Sequence, residues 1–119
     1  MTRKPTDKYK LELLFPEDVI KYQIFSEYVA IWEHLKKYEA GIKPKTNKEF
    51  AIVRMKNLLR SIRPFVVKKR KTVEYEEIWE SLKNGDVIEA YVKLSQLLVD
   101  SGIIKLESVR KTSFAQALD

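Results

Sequence analysis

From Ile20 onward the chain repeats one signal: apolar residues spaced three and four apart. Ile20, Ile24, Tyr28, Ile31 and Leu35 fall on one face of a helix, and Phe25, Trp32 and Tyr38 widen that stripe. Such spacing is incompatible with a half-buried strand, in which every second residue must share a face. The first helix is predicted over residues 16–40. Pro16 suits its first turn, Glu17 and Asp18 favour its positive end, and Gly41 supplies the stop.

The same grammar recurs three more times. Thr46 and Glu49 have the spacing of a capping box, ahead of Ala51, Met55, Leu58, Leu59 and Ile62 on one face. Pro64 lacks an amide hydrogen and disfavours helix at Arg63, so the second helix is expected to end or kink there. "PFVV" after it fits a short strand or a helical continuation. Thr72 is placed to cap a third helix with an apolar side of Tyr75, Ile78, Trp79 and Leu82. Asn84-Gly85 is a break, with a positive φ expected at Gly85. Asp86 and Glu89 then form another capping pair. In the fourth helix Val87, Ile88, Ala90, Tyr91, Val92, Leu94, Leu97, Leu98 and Val99 cover most of the circumference, which predicts the central, most buried element. Gly102 ends it.

The short connections favour antiparallel neighbours. The expected fold is all-α: a single domain forming a compact four-helix bundle, with an N-terminal arm (1–15), a helical core (16–102) and a C-terminal segment (103–119). "KYKLELLF" (8–15) and "IIKLESV" (103–109) read as extended, leaving room for a small two-stranded element that joins the ends.

Composition narrows the function. The chain has 119 residues, enough to bury a modest core unaided. It contains no cysteine, which excludes disulfides and thiolate–zinc sites. No apolar run is long enough to span a membrane, and no signal-peptide core follows the basic start. A soluble cytoplasmic protein is the expectation. Charged residues make up 34%, with Lys, Glu, Ile and Val plentiful and Gln, Asn and Met scarce, a thermophile-like balance.

The charge is not evenly spread. From Phe50 to Val73 there is no acidic residue and there are eight basic ones: Arg54, Lys56, Arg60, Arg63, Lys68, Lys69, Arg70 and Lys71. The whole chain sums to +6, so the remainder is net negative. Lys56, Arg60 and Arg63 share a flank at i, i+4 and i+7, Arg54 lies on the opposite flank, and "KKRK" follows. Localised positive charge is the electrostatic footprint of a nucleic-acid binder, and equally what an acidic protein partner requires. It also has a bland reading, as cations that complement a helix C-terminus and solubilise the fold. Directly afterwards Glu74, Glu76, Glu77 and Glu80 form an acidic face that is placed to pair locally with "KKRK" or to meet a neighbouring copy.

Little points to catalysis. His34 is the single histidine and falls at the edge of a polar face, the position of a solvent-facing side chain. No Ser-His-Asp set, glycine-rich phosphate loop or metal motif is present. Glu76 and Glu80, one turn apart on an outward face, read as a solvated surface rather than a Mg²⁺ site. Tyr22 and Val29 fall outside the first helix's stripe and form a small second apolar strip for a partner. Among the aromatics only Phe65 is placed for base stacking between basic residues.

The expectation is therefore a non-enzymatic helical accessory or structural protein without cofactor or metal. It contacts DNA or RNA through phosphates, without sequence specificity, using the eight basic residues from Arg54 to Lys71. The alternative is a protein-interaction subunit of a larger or homo-oligomeric assembly. That reading uses Tyr22, Val29 and the four glutamates.

Overall fold

The computed structural model describes residues 16–105, and within them the chain is an all-α four-helix bundle. The helices are α1 (Pro16–Glu39), α2 (Pro44–Lys68), α3 (Thr72–Lys83) and α4 (Val87–Asp100). No strand occurs among the described residues. Ile103 and Ile104 are buried against the core in a bend rather than a strand. "KYKLELLF" and the remainder of "IIKLESV" lie outside the described residues. No helix among those described is long and apolar enough to cross a membrane.

α1 and α2 form one hairpin. Glu27 meets Arg54 and His34 meets Asn47, so positions ascend on one helix as they descend on the other. The buried stripe of α1 is Ile24, Tyr28, Ile31 and Leu35, at the predicted spacing. α3 and α4 form the second hairpin. α4 is the most completely buried helix, with Tyr91, Leu94 and Leu98 inaccessible and Leu97 nearly so.

All four helices end the same way. In the turn after α1, the Ile42 amide reaches back to the Lys37 carbonyl at 2.9 Å and the Gly41 amide to Tyr38 at 3.1 Å. This is a Schellman motif, and it satisfies carbonyls that the helix leaves unpaired. The same pair of bonds closes α3 at Gly85 and α4 at Gly102. Each glycine has φ between 72° and 80°, where a Cβ is costly. The fourth ending, after α2, has Arg70 in that position, with φ 57°.

The helix starts differ from expectation. α2 begins at Pro44, two residues before Thr46, so the Thr46–Glu49 capping box is not formed. Proline's fixed φ and missing amide hydrogen suit the first helical position. The job of fastening this turn falls to Asn47, which is buried. Its Nδ2 donates to the carbonyls of Ile42 (2.8 Å) and Lys43 (3.2 Å). Its Oδ1 therefore faces His34 Nδ1 at 3.0 Å, and that nitrogen must carry the hydrogen. His34 is thus a half-buried structural residue packed against Phe50, not a solvent-facing one. Thr72 opens α3 but is its first helical residue; Lys71 holds the cap position without a side-chain bond. Asp86 does occupy the cap position of α4, also without a side-chain bond.

Pro64 does not end α2, which runs on to Lys68. The missing hydrogen bond would have gone to the Arg60 carbonyl, and both residues are exposed, which leaves that side of the helix open to solvent. An interior proline costs about 3 kcal/mol. Continuing the helix keeps Val66 fully buried and Phe65 half-buried on the stripe that Ile62 begins. Two such side chains are together worth about 3 kcal/mol or more, which offsets the proline. "PFVV" is accordingly helix.

Leu94→Ala and Leu97→Ala are each expected to lower the unfolding free energy by about 2–5 kcal/mol in urea titrations. Losses below 1 kcal/mol at both positions would contradict the central placement of α4. Asn47→Ala should cost about 1–3 kcal/mol, because it leaves the Ile42 carbonyl and His34 without their partner, while the Lys43 carbonyl keeps the residue-47 amide. A neutral result would mean that water replaces both bonds.

Candidate nucleic-acid interface

α2 positions most of the basic segment, and its core stripe decides which way each side chain points. Arg54 is directed toward α1 and is committed there. Its Nη1 donates to both carboxylate oxygens of Glu27, at 2.7 and 3.0 Å. Lys71 lies 3.9 Å from Glu74, a loose and exposed pair. The other six, Lys56, Arg60, Arg63, Lys68, Lys69 and Arg70, have no acidic partner among the described residues. Lys56 is half-buried and the other five are exposed.

These six do not form one narrow patch. Arg60 and Arg63 lie on the flank toward α3, where they line a cleft of about 380 Å³ with Tyr75, Glu76 and Trp79. The Arg60 guanidinium sits over the Trp79 ring at 5.6 Å from its centroid, and its Nη1 donates to Asn57 Oδ1 at 3.0 Å. The Tyr75 hydroxyl is turned inward and donates to the Leu59 carbonyl at 2.9 Å, fixing α3 against α2. Lys68 and Lys69 lie on the other flank, toward α1, in a second cleft with Phe65. Arg70 occupies the left-handed position of the turn between α2 and α3.

Trp79 is the functional candidate that sequence reasoning missed. Its spacing on α3 marks it as core, and it is in fact half-buried against the core. Only the packing of α3 on α2 shows that its remaining surface faces two arginines. Phe65, singled out from sequence, is half-buried with part of its surface in the lysine cleft.

The acidic face does not cancel the basic one. Glu74 makes the single loose contact with Lys71, and Glu76, Glu77 and Glu80 are exposed without an ion pair among the described residues. Glu76 does share the Arg60–Arg63 cleft, so one negative charge stands beside that cluster. Of the second apolar strip, Tyr22 is 70% exposed and Val29 is half-buried. Among the described residues no three carboxylate or imidazole groups gather to hold a metal.

Compared with known proteins, the chain matches no family model, no curated protein and no solved structure.

Arg70 is held where the other three turns use glycine. The left-handed region costs a residue with a Cβ about 1–2 kcal/mol. Part of that would be returned as the greater chain entropy glycine loses on folding. Arg70→Gly is therefore expected to raise thermal and urea stability, by about 0.5–1 kcal/mol, while removing one positive charge. A destabilised Arg70→Gly protein would mean that the arginine makes a contact worth more than its backbone strain.

Proposed function

We propose that the protein is a non-enzymatic helical accessory or structural protein that holds DNA or RNA through phosphates, without sequence preference. The observation that supports this most directly is the set of six cations on α2 and its following turn that have no acidic partner among the described residues. Bound to a polyanion, each would neutralise a phosphate and release its condensed counterion. Arg60 is the best prepared. Stacking on Trp79 and bonding to Asn57 restrict its guanidinium, so less freedom is lost when the rest of the fork meets two phosphate oxygens. Arg54 is outside the contact set, because its charge is already matched by Glu27 through Nη1. The groups facing outward are charges rather than paired donors and acceptors spaced for base edges, so binding is indifferent to sequence. A cytoplasmic location and the absence of any cofactor belong to the same reading. So does a non-catalytic role, since His34 is engaged with Asn47.

A second reading, an interaction subunit of a larger or homo-oligomeric assembly, is favoured by exposed apolar groups. Tyr22 is 70% exposed, and Val73 is 69% exposed beside Glu74, Glu76 and Glu77. Contacts would then run through Tyr22, Val29 and the glutamates up to Glu80.

The two readings separate on salt. Affinity for random duplex should fall steeply with ionic strength. The Arg60→Ala/Arg63→Ala protein should bind duplex and single strands alike more weakly, with the log–log salt slope for duplex flattened by about two units. Both side chains are exposed, so the variant should fold. Unchanged affinity and slope in a folded variant would remove the arginines from the contact and put the interaction-subunit reading first.

A further inference from the structure

The cleft between α2 and α3 holds more than a meeting of charges. Its α2 side carries Arg60 and Arg63, and its α3 side carries Tyr75, Glu76 and Trp79. Its volume of about 380 Å³ is at the lower end of small-ligand sites. Tyr75 is buried, and its ring meets the Trp79 indole edge-on at 6.4 Å between centroids. With the Tyr75 hydroxyl bonded to the Leu59 carbonyl, the indole rests on a fixed support. The part of Trp79 left outside the core is therefore held in one orientation.

The bland explanation is a tryptophan at the rim of the core, capped by a cation. Tryptophan is rarely buried completely, and a cation over its ring is a common stabilising contact. The chain's other tryptophan has that arrangement: Lys36 Nζ sits over Trp32 at 4.0 Å from the ring centroid, close to van der Waals contact. Over Trp79 the distance is 5.6 Å, and the Arg60 guanidinium is engaged with Asn57. It does not close the ring off. The charges are likewise left apart. Glu76 lines the same cleft as the two arginines, yet it forms no ion pair with either.

Resting on the nucleic-acid reading above, we propose that this cleft takes an unpaired base, so that single strands are held by one stacked base as well as by phosphates. A base inside a duplex has both faces covered and offers only its edges in the grooves. An unpaired base offers a face to an aromatic ring. The carboxylate decides what enters. Glu76 repels a phosphate inside the cleft but not a neutral base, whereas Arg60 and Arg63 attract phosphates along the α2 side. A strand running along α2 can thus keep its phosphates on the arginines and turn one base inward onto Trp79. Every base has a π-face, so stacking there is indifferent to sequence and agrees with a phosphate contact that reads no base edges.

The test titrates the full chain with three twelve-nucleotide probes: a single strand, its duplex, and a single strand of the same length with an abasic site at every position. Affinities are read by fluorescence anisotropy at one salt concentration, and tryptophan emission is followed in parallel. The base-bearing single strand should bind about tenfold more tightly than the abasic strand, the contribution of one stacked base. It should quench part of the tryptophan emission, and the abasic strand and the duplex should not. Trp79→Leu, which keeps apolar bulk at the core, should bring the two single strands to about equal affinity and abolish the quenching. Trp79→Phe keeps an aromatic ring and should retain a ratio of about threefold, which decides the matter if the leucine variant fails to fold. Arg60→Ala/Arg63→Ala should weaken all three probes while keeping the ratio. Equal affinity of the base-bearing and abasic strands would overturn the base-stacking inference and leave the general phosphate contact standing. No binding to any probe would overturn both. A ratio kept in folded Trp79→Leu would place the stacked base elsewhere and overturn this cleft as its site. A nucleoside monophosphate competing as strongly as the single strand would assign the cleft to a free nucleotide and overturn recognition of a strand.

Discussion

The two hairpins are joined by buried polar groups, and the central knot of these links α1 to α4. The rings of Tyr28 on α1 and Tyr91 on α4 stack at 4.7 Å between centroids. The Tyr91 hydroxyl donates to the Tyr28 carbonyl at 3.1 Å. Ser95 donates to the Tyr91 carbonyl at 2.8 Å, so its oxygen is left to accept from the Tyr28 hydroxyl. The donors and acceptors of the three side chains thus answer one another across the hairpin boundary. Two tyrosines packed by apolar contact alone could slide along the helix axes. With their hydroxyls buried, a shift of one turn would leave each hydroxyl unpaired, at about 1–3 kcal/mol apiece. The register of α1 against α4 is therefore specified by polar groups inside an otherwise apolar core. That register brings Lys21 and Ser101 to the same cleft.

The second constraint is how the helices stop. The chain has three glycines, and each stands in the left-handed position of a Schellman turn. The fourth turn uses Arg70, and there local conformational preference and charge disagree. Glycine would suit the backbone better at no steric cost, and the charge would be lost from a run of four. Sites where local preference is overruled are the ones to examine for a role beyond stability. Here the overruled site sits between Lys69 and Lys71, in the turn between the two hairpins.

Much of the fold is legible in the sequence because its signals are cumulative. Five apolar residues at helical spacing define α1 whatever happens at its ends, and the same holds for Leu94, Leu97 and Leu98 in α4. The stops were legible as well, since a positive φ singles out glycine. The misreadings were local signals overruled by tertiary ones. Thr46–Glu49 has capping-box spacing, but Pro44 starts the helix earlier and buried Asn47 fastens the turn from within. Pro64 argues for a break, but Val66 and Phe65 are worth more in the core than the hydrogen bond it forfeits. The candidate site was legible as a composition and not as a geometry. Eight basic residues in one acid-free segment are visible in one dimension. That Glu27, from another helix, occupies Arg54 is not, nor is the meeting of Trp79 with Arg60.

The continuation of α2 past Pro64 is what turns a charge run into two surfaces. Had the helix stopped at Arg63, the four residues of "KKRK" would form a loop next to Arg60 and Arg63, a single diffuse patch. Because Val66 holds the helix to Lys68, Arg63 and Lys68 are five residues apart on one rigid cylinder and face opposite flanks. From Arg60 to Lys69 the axis rises by about 13 Å. Pro64 and Val67, both exposed, form the ridge between the clusters. Groups separated by that distance and sharing no partner contribute nearly independently to binding. The arginine flank carries its restricted guanidinium over Trp79 and is open along the helix. The lysine flank is closed on two sides, by α1 and by the turn after α4. Spread over a loop, Arg60, Arg63, Lys68 and Lys69 would form one patch, whereas a helix that ignores its own proline divides them between two separate flanks.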